Sequence, residues 1–518
     1  MDRMSTSARF RAARRGPRPS YNLARTETTG WPTGLTRPGG GYMFNATLGR
    51  SAALSTVRPC RALTFVTIAA LFGMQPFLAA AQEATTGSGN QATNPETGVE
   101  ATGADQTTGA EQQEPISAEA GGGARTGNWI DTWTASPQQD WGDDFFAAAG
   151  IPRSLRDQTI RQVARVSQGG DRIRIEFSNE YGEHPLVIGE AHVALAGEDG
   201  AIETGSSRAL TFGGEPSIVV PPGAPVWSDP VDLAVEDLGS VAVSLYLPEV
   251  APTTTWHNDA RQTAYIGAGN VADDDAFEVT QTFPSRIWLS GIAIDASPET
   301  RSIVLFGDSI TDGDGSTLDA DNRYPDQLAE RIIPTGAEVT ILNEGISGAR
   351  VLRDRMGENA LARFDRDVLS HPGVDTVVLM MGINDIGWPD SALVPEGEPA
   401  PTAEQVIQGY QQLIDRAHAH DLRIIGATLT PFNNAFEGGP LEGYYNEEKE
   451  AKRQAVNEWI RTSGAFDGVI DFDKVVEDPQ NPGRIQAQFD KGDHLHPNDA
   501  GYEAMAQSID LGLLGVSQ

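Results

Sequence analysis

The sequence predicts an α/β fold, a doubly wound parallel sheet of five strands with flanking helices, preceded by an all-β, sandwich-like region. Three observations carry this. From Arg301 onward, short apolar runs rich in β-formers alternate with segments of helical period. From Trp129 to about Ala296 the runs are short and alternating, broken by Gly, Pro, Asn and Asp, with no segment of convincing helical period. Gln82–Gly127, between the leader and these regions, has scarcely an aliphatic residue larger than Ala and cannot bury enough apolar surface to order itself.

In the first of these regions, Arg172-Ile173-Arg174-Ile175-Glu176-Phe177 alternates polar and apolar residues, as a half-buried strand should. Leu186–Leu195, Ser217–Val220 and Val241–Leu247 are further expected strands. In the second, the expected strands are Ile303–Phe306, Val339–Leu342, Thr376–Met380, Arg423–Leu429 and Val469–Phe472. Thr402-Ala403-Glu404-Gln405 is a capping box, followed by Val406, Ile407, Tyr410, Leu413, Ile414 and Ala417 on one helical face. A second helix is expected over about Glu447–Ser463, and a last one from near Asn498. The expected organisation is therefore a leader over 1–81, a linker over 82–127, a β-region over 128–297 and an α/β region over 298–518.

The leader ends in a strongly apolar segment, Ala62–Ala81, preceded by Arg50, Arg58 and Arg61 and closed by Ala79-Ala80-Ala81. That is the basic, apolar, small-residue layout of a signal peptide, and it predicts a secreted or periplasmic protein with no stable membrane insertion after cleavage. A membrane-anchored helix is the alternative, which Gln75-Pro76 weakens. The stretch before Met43 is long for such a signal, so Met43 is the expected true start, which N-terminal sequencing would check. The single cysteine, Cys60, lies upstream of the apolar run. A processed chain would then carry no disulfide, thiolate metal site or cysteine nucleophile.

The formal net charge is −34. The first 81 residues carry +9, eleven Arg against Asp2 and Glu27, so the remainder carries −43. Only four Lys occur: Lys449, Lys452, Lys474 and Lys491. Such a surface repels nucleic acid and anionic membranes, whose phosphates need clustered cations. It also fits a salty habitat.

The chemistry starts at Gly307-Asp308-Ser309, which follows the apolar run Ile303-Val304-Leu305-Phe306. Ligands of a parallel sheet bind outside the carboxyl ends of its strands, where a serine after the first strand faces a cleft. Alone, the tripeptide also reads as an ordinary strand-to-helix turn. A serine needs a base to take its proton, and the base needs an orienting carboxylate. Gly492-Asp493-His494-Leu495-His496-Pro497-Asn498 offers both, because Asp493 three residues ahead of His496 can fold back onto Nδ1 and leave Nε2 free. Acyl transfer also needs donors for an oxyanion. Asn343-Glu344-Gly345-Ile346-Ser347-Gly348 follows the second strand and offers a glycine N–H; Met381-Gly382-Ile383-Asn384-Asp385 follows the third and offers a side-chain amide. Singly, each also reads as a turn.

Together, Gly307-Asp308-Ser309-Ile310-Thr311, Gly348, Gly382-Ile383-Asn384-Asp385 and Asp493-His494-Leu495-His496 resemble the four ordered blocks of the SGNH (GDSL-type) hydrolases, over about Ser302–Leu514. The resemblance implies a flavodoxin-like sheet and an esterase or acylhydrolase. In it Ser309 is the nucleophile, His496 the base and Asp493 its orienter. It also implies an oxyanion hole from the N–H groups of Ser309 and Gly348 and the side chain of Asn384, with no cofactor and no metal. Upstream, Trp133-Thr134-Ala135-Ser136-Pro137, Arg161-Gln162-Val163, Phe177-Ser178-Asn179 and Ala260-Arg261-Gln262-Thr263 resemble the β-rich domain of a bacterial subfamily described as arylesterases, acylhydrolases or xylan-associated esterases. No Gly-x-Ser-x-Gly elbow occurs.

Other residues have weaker claims. Asp312-Gly313-Asp314-Gly315 with Asp319 and Asp321 faintly resembles a calcium loop but lacks the ligand spacing and closing Glu of an EF-hand. Asp308 and Asp385 read as structural carboxylates, Trp256-His257 as packing between regions, and Trp388 as either core or a wall of an acyl pocket. His494 and His496 could be read as metal ligands, yet few further His or Cys lie nearby. His418 and His420 read as charges at a helix C-terminus. The expected function is hydrolysis of short-chain or acetyl esters. The expected partner is a small ester or an acylated carbohydrate. The alternatives are a xylan-type polysaccharide deacetylase with a glycan-binding β-region, and a non-catalytic glycan-binding protein, which would have no need of the full Ser/Gly/Asn/Asp/His set.

Overall fold

Apolar runs without alternation suit strands covered on both faces. In the computed structural model, which describes residues 127–141 and 150–517, the run at 303–306 lies in a strand, Arg301–Gly307, and its four side chains are fully buried. Beside it run Val339–Gly345, Val374–Met380, Arg423–Ala427 and Gly468–Ile470. All five are parallel, in the spatial order second, first, third, fourth, fifth. The order reverses between the first and third strands, the place where such sheets form a ligand crevice. The register pairs Gly307 with Gly345 on one side and Met380 on the other. Three strands thus end level, and their loops start from one edge.

Helix Ala403–Ala419 begins at Thr402, where Thr402 and Gln405 cap each other reciprocally. Glu447–Thr462 and Asp499–Ser508 begin at Asn446 and Asn498, whose side chains accept N–H groups of the first turn. The strands expected at Arg423–Leu429 and Val469–Phe472 are shorter than the sequence suggests. The Leu429 N–H goes to the Asn457 side chain, and Phe472 already opens the helix Phe472–Val476. Further helical segments lie outside the three expected ones, among them Tyr324–Ile332, opened by Pro325, and Ala360–Phe364, which continues as a π-helical turn to Leu369.

The preceding region consists of antiparallel sheets. One orders Trp129–Thr134, Leu289–Asp295, Gly170–Ser178 and Pro225–Trp227, with Val231–Val235 also on Gly170–Ser178. A second orders Val279–Phe283, Ala264–Ala268, Gln158–Arg165, Ser240–Leu247, Glu190–Leu195 and Arg208–Ala209, and smaller sheets of two or three short strands accompany them. Ile173, Ile175, Phe177 and Ile292 of the first sheet share one buried core with Ile160, Val193, Val243, Leu245 and Ile266 of the second. The single strand expected over Leu186–Leu195 is two strands, which pair with different partners on either side of Gly189.

The last strand of the β-region ends at Asp295 and the first of the α/β region starts at Arg301, and the described residues all belong to one compact unit. Trp141 and Trp256, stacked edge to face at 5.2 Å, lie in the same buried cluster as Val304, Phe306 and Trp388 of the α/β region. Gln262 donates to Asp321 at 2.5 Å, and Thr263 to Asp319 at 2.6 Å. The signal-like segment, Cys60, Met43 and the linker over 82–126 lie outside the described residues. Among the described residues no helix is long and apolar enough to cross a membrane.

Candidate active site

Ser309 opens a short helical turn, Ser309–Asp312, directly after the first strand. Asp308 caps that turn, its side chain accepting the Ile310 N–H at 3.1 Å, while burial pushes its carboxyl up to about 7. A Cβ at Gly307 would stand 2.9 Å from the Met380 carbonyl, so only glycine lets the strand end this close to its neighbour. The fully buried Arg363 ties the strand ends together. Its guanidinium donates to the carbonyls of Gly307 and Glu344, both at 2.9 Å, pairs with Asp367 at 2.7 Å and lies 4.2 Å over the Phe306 ring. The level at which Ser309 emerges is therefore fixed from within the core.

The loop before the last helix supplies the second half of the site. His496 Nε2 lies 2.8 Å from Ser309 Oγ, and His496 Nδ1 lies 2.7 Å from Asp493 Oδ2. The other Asp493 oxygen accepts the N–H groups of Leu495 and His496 at 3.0 and 2.9 Å. A carboxylate only accepts, so Asp493 fixes the proton on Nδ1 and leaves the Nε2 lone pair toward the serine. Ser309 and His496 are 5 % and 4 % exposed. Burial would raise the Asp493 carboxyl, but His496 and Lys491 beside it hold it well below the ordinary range. Burial would likewise lower His496, and the carboxylates of Asp314 and Asp493 hold it above its ordinary value instead. Asp314 Oδ2 stands 3.5 Å from Nε2, and Lys491 Nζ reaches Asp314 at 2.5 Å and Asp493 at 3.3 Å.

Two further loops close the cleft. Gly348 sits at φ +77°, where a Cβ would meet Met356 Sδ and stand 2.8 Å from Trp388 Cζ2. Asn384 lies on the short helix Ile383–Gly387 after the third strand. Its Oδ1 accepts from Trp388 Nε1 and from the Tyr444 hydroxyl, each at 2.8 Å, and its Nδ2 donates to the Ala349 carbonyl at 3.0 Å. Two donors on Oδ1 settle which way the amide points. Asp385 accepts the N–H groups of Val351 and Leu352 at 2.7 and 3.0 Å, with its carboxyl pushed up to about 6 by burial; it holds the chain that follows Gly348.

All five residues singled out in the sequence thus meet: Ser309, Gly348, Asn384 and His496 line one small cleft of about 30 Å³, with Asp493 behind His496. Its apolar walls are Met356, Trp388, Leu393, Phe436, Leu441 and Leu495. Trp388 is a wall of the cleft as well as core. Trp256 packs between the regions, and His257 contacts Asp312 at 3.0 Å. His418, in the last turn of its helix, bonds Asp467 at 3.0 Å. The aspartates of the calcium-like loop are divided among other partners: Asp312 with His257 and Ser347, Asp314 with Lys491, Asp319 with Thr263, Asp321 with Gln262. Among the described residues no three His, Cys, Asp or Glu are placed to hold a metal ion. Sequence reasoning missed Asp314 as a neighbour of His496, Lys491 as its counter-ion, and Tyr444 as a support for Asn384. Their partners are too far away in the chain for spacing to reveal them. The only signal was that Lys491 is one of four lysines and adjoins the Asp493 motif.

The family model of the GDSL-like lipase/acylhydrolase family matches residues 305–504. No curated protein matches the chain. Among solved structures, the lipase/acylhydrolase from Enterococcus faecalis aligns at 22% identity over 42% of this chain and 100% of its own, with a TM-score of 0.33. A GDSL-like lipase from Bacteroides thetaiotaomicron aligns at 19% identity over 42% of this chain and 88% of its own, TM-score 0.31. An acetyl xylan esterase aligns at 21% identity over 40% and 96%, TM-score 0.30. Likenesses this low say nothing about substrate, and the family rests on the matched span, which runs from the first strand into the last helix and encloses Ser309, Gly348, Asn384, Asp493 and His496. Residues 305–504 are a GDSL-like lipase/acylhydrolase domain, and the chain that carries it is a carboxylic ester hydrolase.

Proposed function

We propose that the protein is an exported serine esterase that cleaves short-chain esters, acetyl esters foremost, through an acyl-enzyme on Ser309. The observation that carries this reading is the hydrogen-bonded chain from Ser309 Oγ to His496 Nε2 at 2.8 Å and from His496 Nδ1 to Asp493 at 2.7 Å. Ser309 Oγ attacks the ester carbonyl carbon while Nε2 takes its proton. The carbonyl electron pair moves onto oxygen, which lies against the N–H groups of Ser309 and Gly348 and Nδ2 of Asn384. Collapse of this intermediate expels the alcohol, protonated by His496. Water then attacks the acyl-enzyme by the same route, with His496 as base, and releases the acid and free Ser309.

A small acyl group is supported by a narrow cleft whose far walls, Met356, Trp388, Leu393, Phe436, Leu441 and Leu495, are apolar. The basic, apolar, small-residue run ending at Ala81 supports export, with Gln82 as the first residue of the mature chain. The β-region is read as an accessory sandwich.

A second reading, deacetylation of a polysaccharide, is favoured by a larger cleft of about 370 Å³ between the β-region and the α/β region. Arg174, Glu176, Trp227 and Ser290 line one side, and Arg366 and His371 the other. An aromatic face among polar groups suits a sugar ring. Acetate release from acetylated xylan, set against chain-length preference on simple esters, separates the two. The serine assignment itself is tested by Ser309→Ala, which should abolish p-nitrophenyl acetate hydrolysis and leave the thermal midpoint nearly unchanged. Retained turnover would sink it.

A further inference from the structure

We propose that His257, in the β-region, is a positioning residue of the esterase site that holds the Ser347–Gly348 turn in place through Asp312. The proposal rests on the reading of Gly348 as an oxyanion donor. His257 is buried, with Nδ1 2.9 Å from the Ser136 carbonyl oxygen and Nε2 3.0 Å from Asp312 Oδ1. A carbonyl and a carboxylate are both acceptors, so both ring nitrogens must donate and the imidazole is a cation. A neutral ring would set a lone pair against one of those oxygens in a buried site.

Asp312, 1 % exposed, uses its other oxygen on Ser347 alone. Oδ2 accepts the Ser347 N–H at 2.9 Å and the Ser347 hydroxyl at 2.8 Å. The chain of bonds therefore runs from the β-region to the residue just before Gly348. The β-region grips the far side of the same turn as well. Gln138 Nε2 and Trp141 Nε1 both donate to the Met356 carbonyl, at 2.5 and 2.8 Å, and the Met356 side chain packs where a Cβ of Gly348 would fall.

The charged groups facing this pair come from several elements. Burial opposes the His257 charge, while Asp312 and Glu344 favour it and hold its proton affinity above the ordinary value. Glu344 is in turn bound by Ser136 Oγ and by His371 at 3.1 Å. Asp312 also faces Arg323 and Asp259. Loss of the His257 charge leaves Asp312 buried without its cation, and the turn it holds loses its anchor. A displaced Gly348 N–H weakens stabilisation of the transition state more than binding of the neutral ester, so kcat falls while KM holds.

The test uses the full chain and p-nitrophenyl acetate, from neutral to alkaline pH, with wild type, His257→Gln, Ser347→Ala and the double variant. His257→Gln should lower kcat about tenfold or more, part of what an oxyanion donor is worth, with KM within about twofold. The two single effects should be less than additive, because both substitutions act on the one carboxylate, Ser347→Ala removing the hydroxyl bond and keeping the N–H bond. Wild type should lose kcat at alkaline pH as His257 deprotonates, and His257→Gln should lack that limb. Nitrogen-15 NMR of labelled histidines should show His257 protonated on both nitrogens at neutral pH, a readout independent of turnover. Additive effects with an unchanged pH profile, or a neutral His257 ring, overturn the proposal. Should His257→Gln fail to fold, Asp312→Asn, which replaces the carboxylate that holds both the Ser347 N–H and its hydroxyl, should lower kcat with KM nearly unchanged, and an unchanged kcat in that variant overturns it too. A wild type without any esterase activity fails the functional reading instead, and the NMR result still decides the ion pair.

Discussion

Asp314 Oδ2 stands 3.5 Å from His496 Nε2, the nitrogen that also meets Ser309. A second carboxylate on the working face of the base bears on its titration. Burial would raise Asp314, but His496 and Lys491 hold it below the ordinary range, so it stays ionised beside the imidazole. Only the neutral imidazole can take the Ser309 proton, so kcat/KM falls as pH drops through the His496 pKa. Asp314 raises that pKa; Asp314→Asn should therefore move the acid limb to lower pH. A pH–rate profile on p-nitrophenyl acetate checks this, and a limb that stays put or moves up contradicts it. The stability sign follows from the same shift. A raised folded-state pKa stabilises below the unfolded value and that contribution fades as pH rises through the folded one. The variant's loss of stability should therefore be greatest at mildly acid pH, where His496 is protonated and Asp314 still ionised, and should shrink again as Asp314 itself takes a proton.

Gly348→Ala should be damaging on two counts. The residue sits at φ +77°, and an added Cβ would crowd Met356 Sδ and Trp388 Cζ2. Left-handed strain and overpacking each cost about 1–3 kcal/mol, visible as a lower thermal midpoint. Because the same change shifts an oxyanion donor, kcat should fall by about a hundredfold. A folded variant with near-normal kcat would remove the Gly348 N–H from the mechanism.

The parts of this site that the sequence made legible are those written locally. Phe306-Gly307-Asp308-Ser309 is a buried strand running into a tight turn, and Asp493 three residues before His496 is a carboxylate within reach of its own loop's imidazole. Strand level then follows, since parallel strands with matched ends put Ser309, Gly348 and Asn384 on one edge. Helix Tyr324–Ile332, with Pro325 in its first turn and Leu328, Ala329 and Ile332 buried, is not among the helices read from the sequence. What was not legible is pairing across the chain. Asp314 with Lys491 spans 177 positions and His257 with Asp312 spans 55. An aspartate-rich loop reads alike whether its carboxylates bind a cation or dock another region, and here Asp312, Asp319 and Asp321 dock the β-region.

Tyr444→Phe tests whether the orientation of Asn384 matters. The hydroxyl and Trp388 Nε1 both donate to Asn384 Oδ1. Losing one neutral hydrogen bond of about 1 kcal/mol should lower kcat roughly fivefold, with KM nearly unchanged, because the ground-state ester does not need the amide. Tyr444→Phe combined with Trp388→Phe should lose more than either alone. A fall in kcat/KM carried entirely by KM would instead make Tyr444 a wall of the acyl pocket.

Asp493→Asn separates orientation from charge. One Asp493 oxygen accepts two backbone N–H groups and the other faces His496 Nδ1. An asparagine that keeps its carbonyl on the backbone turns its NH2 toward Nδ1, which must then accept, so the remaining imidazole proton moves to Nε2. That tautomer cannot take the proton of Ser309, and kcat should fall by about a thousandfold or more, yet by less than in His496→Ala, which removes the base outright. Raising the pH should not restore activity, since the fault is a tautomer and not a protonation deficit. Stability changes in the opposite pH range to that of Asp314→Asn viewed through His496. The depressed Asp493 carboxyl stabilises the fold above its unfolded pKa and loses that contribution as pH falls through the folded one. The variant should therefore be less stable than wild type at neutral pH and approach it in strong acid, as measured by thermal midpoints across the pH range. A variant with wild-type kcat would show that the Nδ1 proton is held by something other than Asp493.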